Sequence, residues 1–387
     1  MSITVHTPLL RRRYRADRRF RWYGLMALAF ALTFLLFFFV DIIHKAMPAM
    51  QQAEVKVTVH YSPAVIDNYN KAVSRIDRRI VSKSWLRSLP RTLKAHPEMM
   101  GKSEELWLLA ESRVDQYLKK HEGHGLKSKY QARVDALRQQ SKTRMAFNTT
   151  FFSNGDSKLP EYAGVLAAAI GSVLVLLITM SLAIPVGIMT AIYLEEFAPD
   201  NYFTQAIEVN INNLAAIPSI LYGLLGLAVF INFAGVPRSS ALAGGLTLAL
   251  MTLPVIIIST RAALRSVPES IREAAMGVGA SQLQSVWHHV FPLAFPGILT
   301  GSIIGMAQAM GETAPLLIVG MMAYIPDAPG SMLEATTVLP AQIYTWSSES
   351  LRAFEERTAA GILVLLTVLL SLNAFAVWLR RRSEQIW

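Results

Sequence analysis

The chain has 387 residues, 52% of them hydrophobic, and a formal charge of +10. That is far more apolar surface than one water-soluble core of this size can use, so the composition excludes an ordinary soluble domain and reads as a polytopic membrane protein. The basic residues are spread over membrane flanks and one long polar segment, which argues against nucleic acid as a partner, and without cysteine there is neither a disulfide framework nor a thiolate metal site.

Taken in order, residues 1–21 form a tail that ends in the run RRRYRADRRFRW. The apolar segment that follows, 22–44, is long enough to cross a bilayer, and its flanking arginines hold the N-terminus in the cytoplasm. A cleaved signal peptide would have a shorter apolar core and a small-residue cleavage site, which Asp41 to Lys45 does not offer. A retained helix is therefore expected.

From 45 to 160 the chain turns polar. Leu106, Leu109, Val114 and Leu118 recur at helical spacing and predict a small helical domain. Gly101 to Ser103 reads GKS, but a phosphate loop needs a glycine where His96 stands, so no nucleotide cradle is expected. This segment lies outside the cytoplasm if 22–44 spans. It leans basic, yet segments this long cross largely regardless of charge.

Apolar stretches at 162–194, 209–234, 241–260, 293–325 and 358–379 each have the length to span. With the first helix the expected total is six, which returns the C-terminal tail, 381–387, to the cytoplasm. Arg380, Arg381 and Arg382 at the last helix end agree with that side. The fold class is thus an all-α polytopic membrane protein, with a core over 161–380 and a cytoplasmic loop over 261–292. Prolines recur within the spans, at Pro185, Pro218, Pro254 and Pro315; the carbonyls they free need other partners, so such helices pack together or line a cavity. Gly297, Gly301 and Gly305 give the fifth span a smooth face for close packing. Glu312 in the same span costs roughly 2.5 to 3.5 kcal/mol if it faces lipid. It must meet a wet cavity or a cation, or lie near the surface where water solvates it.

The loop reads RSVPESIREAAMGVGASQLQSVWHHVFPLAFP from Arg265 to Pro296. Ser266 with Glu269 reads as a capping box, with Pro268 in the first turn, starting a helix near Val267. Gly277 and Gly279 would end that helix, and Ser281 with Gln284 offers a second box. Ala274 and Ala275 leave one side smooth, while Glu269, Arg272 and Glu273 supply polar contacts around it. A capped two-helix knob of this kind suits docking into a partner's groove.

Glu273, Ala274, Ala275, Gly279 and Pro292 resemble the EAA loop of ABC-transporter membrane subunits, whose pattern runs Glu-Ala-Ala, Gly, then Ile-x-Leu-Pro. His289 and Phe291 depart from its trailing end. The resemblance implies that Ser266, Glu269, Arg272, Glu273, Ala274, Ala275 and Gly279 couple the chain to a separate ATPase. PVGIMTAIYLEEFAP (185–199), IPSILYGL (217–224), GETAP (311–315) and LPAQIYTW (339–346) narrow it to the phosphate-transporter permeases of the PstA type. That family implies a type I ABC importer (MetI-like) permease fold in the bacterial inner membrane. It also implies a PstC-like second permease, a PstB-like ATPase dimer and a periplasmic phosphate-binding protein, with inorganic phosphate as cargo. No cofactor, metal or catalytic residue is implied; Gln308, Glu312, Thr313, Pro315 and Pro218 are implied to line the pathway. Two departures stand out: Gln308 occupies a position where many relatives carry arginine, so the oxyanion or its handling differs or a partner supplies the charge, and the 45–160 insert is longer than the family's usual loop. An ABC permease for molybdate or phosphonate, a phosphate-signalling scaffold and a passive anion channel remain as alternatives.

Overall fold

The computed structural model describes residues 8–121 and 124–383; residues 1–7 and 384–387 of the expected tails lie outside the described residues. Helix α1 (Pro8–Ala46) has 39 residues. At 1.5 Å per residue it is about 58 Å long, roughly twice the hydrocarbon core of a bilayer, so its arginine-rich start projects well past one face.

The 45–160 segment departs from the helical expectation. It contains β1 (Gln51–His60), α2 (Ala64–Asp67), α3 (Lys83–Ala95), β2 (Ser103–Leu109), α4 (Ser112–Leu118), α5 (Ser128–Gln139), β3 (Thr143–Phe147) and α6 (Thr149–Ser153). The strands form one antiparallel sheet in the order β2-β1-β3, with Val57 opposite Leu106 and Ala53 opposite Met145. The deciding signal is in QQAEVKVTVH, where Val55, Val57 and Val59 are all buried and alternate with polar residues, the period of a strand. The helical spacing drawn from Leu106 to Leu118 joined a strand to the separate helix α4. Leu86, Leu93, Leu108 and Val134 close the core over the sheet.

The rest of the chain is helical. Helix α7 (Leu166–Ile192) ends in a π-helical turn, Tyr193–Phe197. Helix α8 (Tyr202–Ala215) precedes α9 (Ser219–Gly226), which runs on as π-helix through Phe233. Then come α10 (Ala241–Arg265), α11 (Glu269–Gly277), α12 (Gln282–Ser285), α13 (Phe291–Gly311), α14 (Ala314–Ile318), α15 (Leu339–Ser347) and α16 (Ala353–Ser383). Among the described residues five helices are long and apolar enough to cross a membrane, and six spans result if the α8–α9 pair counts as one.

Two expected spans are not straight. The 209–234 stretch is bent by 104° between α8 and α9. The 293–325 stretch stops being helical at Gly311. Pro218 and Pro315 sit just past these breaks, whereas Pro185 and Pro254 are carried inside uninterrupted helices. Helix α10 lies between α7 and α13. The expected glycine face is where α13 meets it: a Cβ at Gly297 would fall 2.7 Å from Ala263 Cβ, at Gly301 2.0 Å from Ser259 Oγ, and at Gly305 3.3 Å from Ile256.

The insert and the helical core join at the end of the bundle where α1 and β1 meet. Ala46, Ala49, Phe151, Ala163, Trp346 and Phe354 form a common apolar cluster. Beside it, Glu356 on α16 receives Lys119 Nζ of α4 at 3.1 Å and lies 3.2 Å from His121 Nε2, and the Gln116 amide donates to it. Lys119 also holds Asp115 at 2.7 Å. Nearby, the buried Glu161 carboxylate accepts a hydrogen bond from Ser82 Oγ at 2.7 Å, while its second oxygen has no partner.

Burial pushes the Glu161 carboxyl above the usual carboxylate range, opposed by Ser82 and reinforced by Glu111 and Asp115. A raised folded-state pKa contributes stability that is complete below the unfolded value, about 4.3, and is lost as pH rises through the folded value. The junction is expected to loosen on going from mildly acidic to alkaline buffer. Hydrogen exchange across 160–166 at pH 5.5 and 8 checks this, and Glu161→Gln should flatten the difference; an unchanged difference in that variant would assign the effect to another group.

Candidate functional site

Two clusters emerge, one at each of the features that interrupt regular helix. The first is built on the π-helical end of α7, which presents Glu195 and Glu196 toward the end of α10. Arg261 Nε reaches Glu195 Oε2 at 3.1 Å and its Nη2 reaches Glu208 at 2.5 Å, while Arg265 Nε meets Glu195 Oε1 at 2.6 Å. Arg272 of α11 then binds Glu196 in fork geometry, at 2.7 and 3.1 Å. Its remaining N–H groups donate to the carbonyls of Leu264 and Val267 at 3.0 and 2.8 Å. The pair is largely withdrawn from solvent, at 14% and 6% side-chain exposure. A bidentate pair with every guanidinium edge occupied is the arrangement that offsets desolvation. The Glu196 carboxylate correspondingly raises the Arg272 guanidinium further above its ordinary value. The Gln282 amide donates to the Glu196 carbonyl, so both short helices are fastened to one turn.

Local sequence explains the rest of the loop. Pro268 occupies the cap of α11, and Gly279 takes φ +91°, a left-handed conformation that glycine accepts without strain. The Ser281–Gln284 capping box forms as expected. The Ser266–Glu269 box does not: α11 begins at Glu269, and the Ser266 hydroxyl instead donates back to the Ala263 carbonyl at 2.6 Å within the last turn of α10. The alanine pair is also divided, with Ala275 buried and Ala274 exposed. Arg272 faces inward as an anchor, not outward as an expected polar contact. The outward surface is Glu273, Ala274, Met276, Val278, Leu283 and Trp287, all exposed. Four of them are large apolar groups, and one, Met276, also lines a groove of about 450 Å³ between α11, α12 and Glu196. Large apolar groups left exposed together on a capped element have the character of an interaction surface.

The second cluster lies around Glu312. Gly311 ends α13, Glu312 is extended (φ −76°, ψ 127°), and Pro315 enters the first turn of α14. Pro315 has no N–H to give the Gly311 carbonyl, and glycine is a weak helix former, so the helix stops there. The acid expected inside a span therefore sits in a break. Leu248, Ala309 and Leu316 line one small apolar cavity, which places the break level with Leu248. That residue is about 10 Å along α10 from Ala241, so the break is inside the bundle and nearer the insert. Glu312 and Thr313 are half-buried and Gln308 is exposed; among the described residues neither Gln308 nor Glu312 has a side-chain hydrogen bond or ion pair.

Helix α9 closes on this break. A Cβ at Gly223 would lie 2.7 Å from Pro315 Cα and 2.9 Å from its carbonyl oxygen. The bend that brings α9 there is held by Tyr222, whose hydroxyl donates to the Leu214 carbonyl at 2.8 Å. Pro218 caps α9 five residues earlier. Gln308, Glu312, Thr313 and Pro315 are thus gathered at one break, with Pro218 at the other. Sequence reasoning missed Glu195, Glu196, Arg261 and Gly223. The acidic pair on the arginine-rich side was the available signal for the first three.

Residues 183–385 match the family described as "Binding-protein-dependent transport system inner membrane component", and residues 8–78 match a domain of unknown function, DUF3333. The chain is 29% identical to a probable ABC transporter permease protein YqgI of Bacillus subtilis, over 59% of this chain and 82% of that protein. It is 32% identical to the phosphate transport system permease protein PstA of Mycobacterium leprae, over 57% and 72%. The PstA of Pasteurella multocida is 31% identical, over 56% and 76%.

Proposed function

Because the chain belongs to the binding-protein-dependent transport inner membrane components, as an ABC importer permease of the PstA type without ATPase activity of its own, we propose that its cargo is inorganic phosphate. In this reading it shares the pathway with a PstC-like permease, receives phosphate from a periplasmic binding protein and is driven by a PstB-like ATPase dimer. The exposed face of α11 and α12 enters the ATPase. The observation that carries this reading is the fastening of both short helices to the end of α7 through Glu196, which lets a force on the loop reach the bundle. The arginines at the start of α1, the end of α10 and the end of α16 support a cytoplasmic loop and an external insert.

Closure of the ATPase subunits on ATP carries α11 and α12 with them. The Arg261, Arg265 and Arg272 ties pass the displacement to α7 and α10 together, and the α8–α9 bend and the Glu312 break are where the bundle yields. Phosphate then meets Gln308 and Glu312, neither of which has a cation at ion-pair distance among the described residues, so the balancing charge comes from the second permease. A glutamine offers only neutral hydrogen bonds. That same feature favours a second reading in which the oxyanion is molybdate or phosphonate.

Labelled phosphate uptake in cells lacking their own high-affinity system, with the presumed partners and with or without this chain, tests the proposal; molybdate and phosphonate as competitors separate the second reading. In the same cells Glu312→Gln removes an unpaired charge from the bundle interior, so the inserted amount should hold or rise. Uptake should nonetheless fall at least tenfold, about 1.4 kcal/mol. Uptake at the wild-type rate would leave Glu312 without a role in transport.

A further inference from the structure

The insert contains a second cluster that the transport reading does not use. Arg78, Arg79, Lys83, Arg113 and Lys127 line a cavity of about 230 Å³ together with Glu111. None of the five cations has a side-chain ion pair or hydrogen bond among the described residues. By contrast, Arg133 is matched with Asp77, Lys142 with Glu105 and Arg144 with Glu54. Five unmatched positive groups facing one space repel each other, an arrangement that an anion would relieve.

The turn that bears two of the arginines is fixed before any ligand arrives. Asp77 is buried and gripped by Arg133 at 2.9 and 3.1 Å and by Ser74 Oγ at 2.8 Å, which sets the turn bearing Arg78 and Arg79. Glu111 Oε2 accepts the Arg113 backbone N–H at 3.0 Å. The cavity is smaller than the roughly 300 Å³ at which organic-ligand sites begin, so its occupant is a small ion with some of its water.

We propose that this pocket binds hydrogenphosphate at a site apart from the translocation pathway, with the arginines and lysines matching its charge and Glu111 accepting its proton. The carboxylate is the discriminating element. Near neutral pH hydrogenphosphate still carries an O–H to donate, whereas sulfate carries none and would be repelled by an ionised Glu111. Burial pushes the Glu111 carboxyl above the usual range, opposed by the Arg113 backbone N–H and by the Arg113 and Lys83 charges, which favour its ionised form. The ligand identity deepens the phosphate reading and rests on it.

The test is equilibrium dialysis of the purified full chain, without partners, against labelled inorganic phosphate with sulfate as competitor. Wild-type protein should bind phosphate and resist sulfate. Arg78→Ala with Arg113→Ala should weaken binding at least tenfold, Glu111→Gln should let sulfate compete, and Lys142→Ala, a cation of the insert outside the pocket, should bind like wild type. Equal phosphate binding with and without the two arginines would overturn the pocket, as would no binding by the wild type. Uptake by the complete system is read separately, so loss of this site and failure of the phosphate reading give different results.

Discussion

Replacing Glu196 with alanine is expected to abolish most ATP-driven uptake while leaving the chain in the membrane. The substitution leaves Arg272, at 14% exposure, with two carbonyls and the exposed Glu269 carboxylate at 3.5 Å as partners. Breaking such a pair from one side costs on the order of 3 kcal/mol, about a hundredfold in the population of the fastened loop. Arg272→Ala should give a similar loss, and the double variant should be little worse than either single one, because the stranded charge is gone. Uptake and ATPase co-purification, measured across the cycle, check this. Strictly additive effects would mean that Glu196 and Arg272 act separately and that the loop is held some other way.

The second large effect is expected at Gly223. Glycine to alanine inside a helix ordinarily gains about 1 kcal/mol, but here the added methyl meets the backbone of Pro315 at 2.7 Å. Backbone cannot rotate away, so α9 or the break must shift, and overpacking of this kind costs about 1 to 3 kcal/mol. Gly223→Ala should therefore reduce uptake by ten- to a hundredfold while ATPase co-purification stays intact, since the docking face is remote. Gly305→Ala is the control: its nearest neighbour is the Ile256 side chain at 3.3 Å, not backbone, and the loss should be smaller. Equal losses would remove the special role given to the α9 contact.

What could be read from the chain alone was whatever is decided within a few residues. Gly279 and the Ser281–Gln284 box act over one turn, and both were legible. So was the glycine face of α13, because a repeat of four is a property of one helix. The Ser266–Glu269 box failed by a shift of helix start that Pro268 decides. The Glu196–Arg272 pair joins residues far apart in sequence, and nothing local in either segment names the other. Hydropathy also averages across the two breaks: 209–234 and 293–325 are apolar on average despite Asn210, Asn212, Asn213, Gln308 and Glu312, so the bend at Pro218 and the extended Glu312 are invisible to a window that spans them. In the insert, leucines from β2 and α4 happened to fall at a helical interval, while the valine alternation in β1 carried the correct period.

Three donors from the insert converge on Glu356 at the first turn of α16, and that attachment makes the outer portion a lever arm on the last helix. Tilting α16 within the bilayer would swing the sheet through a wider arc than the helix itself travels. A fluorophore pair placed on the insert and on the Ala241 end of α10 would then report each transport cycle as an optical signal.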